Sequence, residues 1–444
     1  MQRQGPECNY CRHTSLLALS VFLHKLKPQI LADPKTRRFQ PKREAIVDAA
    51  TLLFNRRGVK ATTLADIASS VGLVTNSVTY YYRKKEDLAT VCFLRAIDAF
   101  NVMVSVASQE STVQARMHRL LQQYTGLLAH IEDSKHPPMI VFSDLRALPT
   151  PLLAQVFAAY TDMFRKLRAM LKLPEALDRP KHEANACAHI VLSVVNALRG
   201  WISRYEPDDY MRVGVRVADI LLHGMCADGS RWASTHPGYD WQLEKATTSA
   251  SGPFLRVATE LVNEQGYQGA SVDKISAWLN VTKGSFYHHN DNKQDLIFAC
   301  FERTFAVLRR GLSLAERGAD SKGRADNTAS GWERACTVAC ALVRFQLSTQ
   351  GPLLRITATS ALPDQTRRDQ VRRTMQGLTE RMVNIIVDGM MDGSIRPLDP
   401  GVAAHIAVAV VNAAAELPRW SQGAREANVG DLYVRALFVG LLQP

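Results

Sequence analysis

Long apolar runs are scarce in this sequence. A membrane-spanning helix needs about 18 to 20 consecutive apolar residues, whereas the longest early run, Leu16 to Leu23, has eight residues with Ser20 among them. Lys25 and Lys27 follow this run closely, and no small-residue cleavage site follows it. The sequence therefore predicts no export signal, no membrane association and a cytoplasmic location.

Cysteine is too rare for a disulfide scaffold, with eight residues in 444. Cys8, Cys11 and His13 resemble half of a zinc site, but no fourth ligand lies nearby, so metal binding is disfavoured. The enzyme signatures G-x-S-x-G and H-E-x-x-H and a glycine-rich phosphate loop are absent. We therefore expect a protein that is not an enzyme and that uses no cofactor and no metal.

Positive charge, in contrast, is in excess. Lysine and arginine total 54 against 42 acidic residues, and the net charge of +12 favours polyanionic partners such as nucleic acid. Residues 1–43 hold nine of the basic residues and only two acids. This N-terminal arm either lies in a DNA minor groove or is a disordered tail, and the sequence leaves both readings open.

The chain contains an internal repeat. A shift of 208 residues aligns 50–95 with 258–303 without a gap, and 13 of the 46 positions are identical. A second repeated segment, Ala-His-Ile, occurs at 188–190 and again at 404–406, at a shift of 216. Apolar residues recur every three or four positions in both copies, which is typical of helices. The sequence predicts an all-α fold made of two tandem units.

Clusters of Gly, Pro, Ser and Asp divide each unit further. Each unit is expected to contain an N-terminal head followed by a larger helical domain, the regulatory domain. The predicted segments are a basic N-terminal extension at 1–39, the first head at 40–100, the first regulatory domain at 101–227, a linker at 228–250, the second head at 251–310 and the second regulatory domain at 311–444.

Each head has the spacing of a helix-turn-helix motif. A helix over about 41–57 is expected to end at Gly58, and Thr63 is placed to cap a second helix over 64–71. After a tight turn at Gly72, a third helix is expected over about 75–82. The second unit repeats this pattern at Gly266, Ser271, Val272–Leu279, Asn280 and Thr282.

Both heads resemble the DNA-binding domain of the TetR family of bacterial transcriptional regulators. The second head carries the family pattern at Val272, Ile275, Val281, Thr282, Lys283, Gly284, Phe286, Tyr287, His289, Lys293 and Leu296, and departs from it at Asn290. The first head carries it at Thr62, Thr63, Leu64, Ile67, Ala68, Gly72, Lys85 and Leu88, and departs from it at Val74, Thr75, Asn76 and Thr79.

The resemblance implies that the third helix of each head enters the major groove of a double-stranded DNA operator while flanking groups hold phosphates. Carried over in this way, the first head would contact DNA through Thr63, Thr75, Asn76, Ser77, Tyr80, Arg83, Lys84 and Lys85. The second head would do so through Ser271, Thr282, Lys283, Gly284, Ser285, Tyr287, His288 and Lys293.

The resemblance also implies dimerisation through the last two helices of each unit. These segments are 183–205 with 209–226 and 400–421 with 428–442, and their many apolar residues predict an intramolecular four-helix bundle that makes one chain a pseudo-dimer. Further self-association stays open.

A small apolar effector is implied as well, bound in the regulatory domains. The candidate linings are Met139, Phe142, Phe157, Tyr160, Phe164 and Trp201 in the first unit, and Phe345, Met375, Met382 and Trp420 in the second. Ordinary core packing is the competing interpretation for each of these side chains.

Two pairs of matched residues leave alternatives open. His189 and His405 are either pH or ligand contacts or hydrogen-bonded interface histidines, and Cys92 and Cys300 are either oxidation sensors or buried thiols. The function expected from all of these features is a DNA-binding transcriptional regulator, a ligand-responsive repressor that reads two unlike half-sites. The alternative is a ligand- or partner-binding protein in which one or both heads have lost sequence-specific DNA binding.

Overall fold

The computed structural model describes residues 39–172, 179–232, 252–279, 293–316, 329–362 and 364–443. Within these ranges the fold is all-α, as predicted, with sixteen α-helices and no strand. The first unit contains α1 (Phe39–Arg57), α2 (Leu64–Ser70), α3 (Thr75–Tyr81), α4 (Lys85–Ala107), α5 (Val113–Glu132), α6 (Thr150–Met170), α7 (Lys181–Leu198) and α8 (Tyr210–His223). The second contains α9 (Gly252–Gly269), α10 (Val272–Leu279), α11 (Lys293–Glu316), α12 (Gly331–Leu347), α13 (Gln365–Met391), α14 (Pro400–Ala413), α15 (Leu417–Trp420) and α16 (Arg435–Phe438).

The local signals that end and begin the helices of the first head act as the sequence predicts. Gly58 and Gly72 have φ angles of +81° and +67°, a region that residues with a Cβ rarely adopt. The Thr63 hydroxyl accepts the Asp66 N–H at 3.1 Å, and the Asp66 carboxylate accepts the Thr63 N–H at 2.9 Å. This reciprocal capping box fixes the start of α2.

The second head has the same beginning with different residues. Gly266 breaks the helical backbone inside α9 with a φ of +71°. The Ser271 hydroxyl then accepts the Lys274 N–H at 3.3 Å, so it caps α10 as predicted. The predicted turn at Asn280 and the third helix that follows it lie outside the described residues.

Two segments are long and apolar enough to cross a membrane by length and composition, Lys85–Ala107 and Pro400–Trp420. Both are packed against other helices. In α4, Phe93, Ile97 and Met103 are fully buried, and α14 is buried around most of its circumference, in contact with helices of both units. Core packing therefore accounts for their apolar composition.

The two units pack against each other through their last helices. In this interface α7 and α8 of the first unit contact α14, and α7 also contacts α15, α16 and the π turn Gly430–Val434 that precedes α16. These are the segments in which the sequence predicts an inter-unit bundle.

At the far end of this interface the contact is backbone to backbone. The Met225 N–H donates to the Phe438 carbonyl at 2.7 Å, and the Leu441 N–H donates to the Leu221 carbonyl at 2.9 Å. Such an approach leaves no room for a side chain, and a Cβ on Gly224 would lie 2.3 Å from the Phe438 oxygen. A Cβ on Gly440, the residue that the repeat matches to Gly224, would likewise clash with the backbone of His223.

Ion pairs flank the apolar interface on one side. Arg216 contacts Asp399 at 2.5 Å, and Arg396 contacts Asp219 at 2.6 Å, so each unit supplies one cation and one anion. All four side chains keep partial solvent access, so we assign these pairs to orientation of the units and only a small part of their stability.

The matched histidines both lie in the interface. The His189 Nδ1 is 2.7 Å from the Tyr433 hydroxyl, and the Arg204 guanidinium is 3.0 Å from the His405 Nε2. Burial lowers the pKa of both imidazoles, that of His189 to about 3. The hydrogen bonds favour the interpretation of these residues as satisfied interface histidines.

Candidate DNA-binding interface

The third helix of the first head, α3, has one buried and one exposed face. Val78 is completely buried against α2, whereas Thr75 and Asn76 are exposed at the N-terminal end and Tyr80 is 75% exposed. Ser77 is partly exposed. Four polar side chains are thus presented to solvent on a helix whose other face is fixed by the core, which is the arrangement that a major-groove reader needs.

The flanks of α3 supply charge and a helix N-terminus. Arg83 and Lys84 are exposed just beyond the end of α3, where their cationic groups face solvent. Thr63 is exposed as well, but its hydroxyl and its N–H are both bonded to Asp66. These bonds lower the pKa of the Asp66 carboxyl and hold an anion beside the N-terminus of α2. Arg83 and Lys84 are therefore better placed than Thr63 to meet a phosphate.

Lys85 has a structural role that the sequence did not indicate. Its ammonium group donates to the Lys60 carbonyl at 2.6 Å and to the Thr62 carbonyl at 2.9 Å. These bonds tie the start of α4 to the loop between α1 and α2. Lys85 therefore holds the shape of the head, whether or not it also lies near DNA.

The matched lysine of the second head is placed differently. The Lys293 ammonium lies 4.3 Å from the centre of the Tyr267 ring, a cation–π contact. Burial, with a smaller contribution from Lys60 nearby, lowers the pKa of Lys293 to about 8. Of the other residues predicted in this head, Ser271 caps α10. Thr282, Lys283, Gly284, Ser285, Tyr287 and His288 lie outside the described residues.

A matched pair of asparagines fastens each head to its own regulatory domain. The Asn55 amide donates to the Met139 carbonyl at 2.8 Å and accepts the Val141 N–H at 2.9 Å. In the second unit Asn263 makes the same two bonds, to the Leu353 carbonyl at 2.9 Å and from the Arg355 N–H at 3.0 Å. The internal repeat aligns Asn55 with Asn263, and this identity was the signal in the sequence that could have indicated a shared structural role.

A matched pair of arginines makes a second link between head and core. Arg95 in α4 contacts Asp48 at 2.5 Å and donates to the Pro138 carbonyl at 3.2 Å. Arg303 in α11 donates to the Pro352 carbonyl at 3.1 Å. Both arginines therefore tie the segments at 138–141 and 352–355 to the heads.

Five of the candidate effector-site residues form one aromatic cluster across the boundary between the units. The ring of Trp420 lies 6.1, 5.8 and 4.3 Å from the rings of Phe157, Tyr160 and Phe164, measured between centroids. Phe142 joins the cluster at 5.0 Å from Tyr160. The sequence predicts Trp420 as a lining residue of the second unit, whereas its ring packs against α6 of the first.

The remaining candidates are mostly core residues. Trp201 stacks on His405 at 4.7 Å, and Phe345 lies under the Arg303 guanidinium at 5.8 Å. Met139 and Met382 are buried, and Met375 is partly buried. A cleft of about 640 Å³ between the units is lined by none of these residues but by His118, Val215, Arg216, Asp219, Ile220, Leu398, Asp399 and Pro400. The position of an effector site stays a prediction.

The matched cysteines behave as buried thiols. Burial raises the pKa of Cys92 and of Cys300 to about 11, so little thiolate forms at neutral pH. In the part of the chain that the structure describes, no three His, Cys, Asp or Glu side chains are grouped in a way that could hold a metal ion. Cys8, Cys11 and His13 lie outside that part.

Comparison with known proteins connects both heads to one family. Residues 46–92 and 254–300 each match the family model described as bacterial regulatory proteins, tetR family. The chain is 47% identical over 55 residues to the transposon Tn10 TetC protein of Escherichia coli, which covers 12% of this chain and 28% of that protein. It is 40% identical over 48 residues to the biofilm operon icaADBC HTH-type negative transcriptional regulator IcaR of Staphylococcus epidermidis, covering 11% and 26%.

These matches span little more than a quarter of either relative. Among solved structures, apo AibR aligns with 43% of this chain and 98% of its own, at 23% identity and a TM-score of 0.32. The two family-model matches lie at the offset of the internal repeat, and each coincides with a head. Both heads therefore match the TetR family of bacterial regulatory proteins, and the comparisons support two TetR-like units in one polypeptide.

Proposed function

We propose that this protein is a cytoplasmic, DNA-binding transcriptional regulator, a ligand-responsive repressor that uses its two heads to read two unlike half-sites. The observation that carries the proposal is the exposed face of α3, where Thr75, Asn76 and Tyr80 project from a helix anchored by the buried Val78. Arg83 and Lys84 beside it supply the cations for phosphate contact.

An intramolecular pseudo-dimer is the second part of the proposal. Its support is the packing of α7 and α8 against α14 and α16, together with the close backbone approach at Gly224 and Gly440. A homodimer needs two chains for two heads, whereas here one chain supplies both. DNA affinity should therefore persist at protein concentrations at which a comparable homodimer dissociates.

Two differences between the heads support unlike half-sites. The first head has Val74, Thr75 and Asn76 where the second has Thr282, Lys283 and Gly284, so the two heads cannot offer the same side chains to the bases. The segment 41–88 has a net charge of +3, whereas 251–296 has −1. The first head is expected to make more of the phosphate contacts.

Binding-site selection on the purified chain, followed by native mass measurement of the complex, tests the proposal. We expect an asymmetric site with its halves about one helical turn apart and one chain bound to each site. A plot of log affinity against log salt concentration should have a slope of about −0.9 for each phosphate contact. A palindromic site, or two chains on one short operator, would contradict the pseudo-dimer.

One observation favours the alternative of a ligand- or partner-binding protein. Val74, at the N-cap of α3, is an apolar side chain with 69% exposure at a position where a DNA reader presents polar groups. The selection experiment separates the two functions, since weak binding that is indifferent to sequence would favour the alternative.

A further inference from the structure

One carboxylate of the first regulatory domain lies between the two heads. Asp144 is in the 3-10 turn Phe142–Ala147, and its Oδ2 accepts the Val59 N–H at 2.5 Å, directly after the end of α1. A Cβ built on Gly58 would lie 3.2 Å from this Oδ2, and a Cβ built on Gly266 would lie 3.2 Å from Oδ1. Each oxygen thus faces a left-handed glycine of one head, Gly58 just after α1 and Gly266 at the break inside α9.

The Asp144 carboxyl group is partly buried and lies near two lysines of the first head. Burial raises the pKa of the carboxyl, while the bond from Val59 and the charges of Lys60 and Lys85 act in the opposite direction. Across the junction, the Lys60 ammonium lies 2.8 Å from where a Cβ on Gly269 would stand, so the loop of the first head touches the second. The heads are in direct contact here.

A chain of ion pairs holds the same junction from the other side. Arg146, two residues after Asp144, contacts Glu416 of the second unit at 3.0 Å, and Arg355 contacts the same carboxylate. Arg419 then connects Glu416, at 3.2 Å, to Glu264 in α9, at 3.1 Å. The turn that carries Asp144 is therefore anchored to the second unit at a separate point.

The junction occurs on one side of the pseudo-symmetric pair only. The asparagine bonds align 139 with 353 and 141 with 355, so the turn Phe142–Ala147 corresponds to Ile356–Ala361 and Asp144 corresponds to Ala358. The turn Ile356–Ala361 packs against α1 in the same way as Phe142–Ala147 packs against α9. At the position of Asp144, however, it has Ala358 and therefore no carboxylate.

We infer that Asp144 is a positioning residue that fixes the two heads relative to one another and thereby restricts the protein to one spacing of half-sites. The inference rests on the proposed DNA-binding function. One added base pair moves the second half-site by about 3.4 Å and rotates it by about 34°, since B-DNA has 10 to 10.5 base pairs in each turn. Heads held at a common carboxylate cannot follow that rotation, whereas heads released from it can.

The test compares the wild-type chain with Asp144→Ala, Asp144→Ser and Asp144→Asn. Asp162→Ala is the matched control, because Asp162 is an exposed aspartate paired with Lys166 on α6. The probe is the site selected by the wild-type chain, together with versions lengthened or shortened by one and two base pairs. The asparagine variant keeps a carbonyl oxygen for the Val59 N–H, and the serine variant replaces the alanine variant if the latter does not fold.

We expect the wild-type chain and the control to lose about tenfold or more in affinity when the spacing changes by two base pairs. The alanine and serine variants should lose less than about threefold over the same change, and asparagine should restore most of the wild-type preference. Equal spacing profiles for all the variants would overturn the inference. If the wild-type chain selects no site, the proposed function fails instead.

A measurement without DNA keeps the two failures apart. Ser69 and Ala277 occupy matched, exposed positions on the two heads and are suitable for spin labels after change to cysteine. Cys8, Cys11 and Cys226 are replaced by serine, because the other five cysteines are buried. A narrow distance distribution is expected for the wild type and a broader one for Asp144→Ala or Asp144→Ser. Identical distributions would refute the positioning role, whatever the DNA result.

Discussion

The backbones of the two units approach closely at Gly224, and the change Gly224→Ala tests how much this contact contributes to stability. The residue has φ +68° and ψ −160°, a conformation that essentially only glycine adopts, and forcing alanine into it costs about 1 to 3 kcal/mol. The added Cβ would stand 2.3 Å from the Phe438 oxygen, so the backbone segments around Gly224 and Phe438 must move apart. Loss of the Met225 and Arg396 N–H bonds across the interface adds about 1 kcal/mol each.

The expected loss in the free energy of unfolding is therefore about 3 to 5 kcal/mol. Denaturant unfolding followed by circular dichroism measures it, and Gly229→Ala is the matched control. Gly229 also has a positive φ, of +92°, but nothing lies within 4 Å of its Cβ position. The control should thus lose only the backbone strain, about 1 kcal/mol. If Gly224→Ala is no more destabilising than Gly229→Ala, the close approach of the units is not what the structure indicates.

Three further predictions concern the interface and the first head. The pKa of His189 is lowered from 6.5 to about 3 in the folded chain, so between these values only the unfolded chain binds a proton at this imidazole. The free energy of unfolding should therefore fall by about 1.4 kcal/mol for each pH unit below 6.5. His189→Gln should remove that part of the slope in urea titrations between about pH 6.5 and 5. Arg83→Ala and Lys84→Ala should each weaken binding to all DNA sequences alike and lower the salt slope by about 0.9 in fluorescence anisotropy. Trp420→Ala should cost about 3 kcal/mol of unfolding free energy by removing its contacts with Phe164, and an unchanged melting curve would count against the cluster.

For the described parts of the heads, the helix boundaries could be predicted from the sequence because their signals are local. Gly58, Gly72 and Gly266 end helices at positive φ, and Thr63 and Ser271 cap the helices that follow, so each boundary is determined by residues within one turn of it. The repeat doubled this information, since the same offset had to fit both heads.

The links between heads and cores could not be predicted in this way. Asn55 and Asn263 stood out as matched residues, but their partners are backbone groups 84 and 90 residues further along the chain. Backbone carbonyls carry no sequence signature, so a pattern does not reveal such a bond. Trp420 was assigned to its own unit because the sequence gives no distance across the interface, whereas its ring packs on Phe164 of the other unit.

The fusion of two units has a structural consequence that a homodimer does not permit. In a homodimer every interface residue occurs on both sides of the axis, so a contact that is good on one side must be tolerated on the other. Glu416 gathers three arginines at the junction, whereas the matched position of the first unit is Gly200, as Asp144 is matched by Ala358. Since the two sides need not be identical, contacts on one side can hold the heads together while the sequences at 74–76 and 282–284 differ. One-sided anchoring and the proposed recognition of unlike half-sites would thus both result from the same covalent connection.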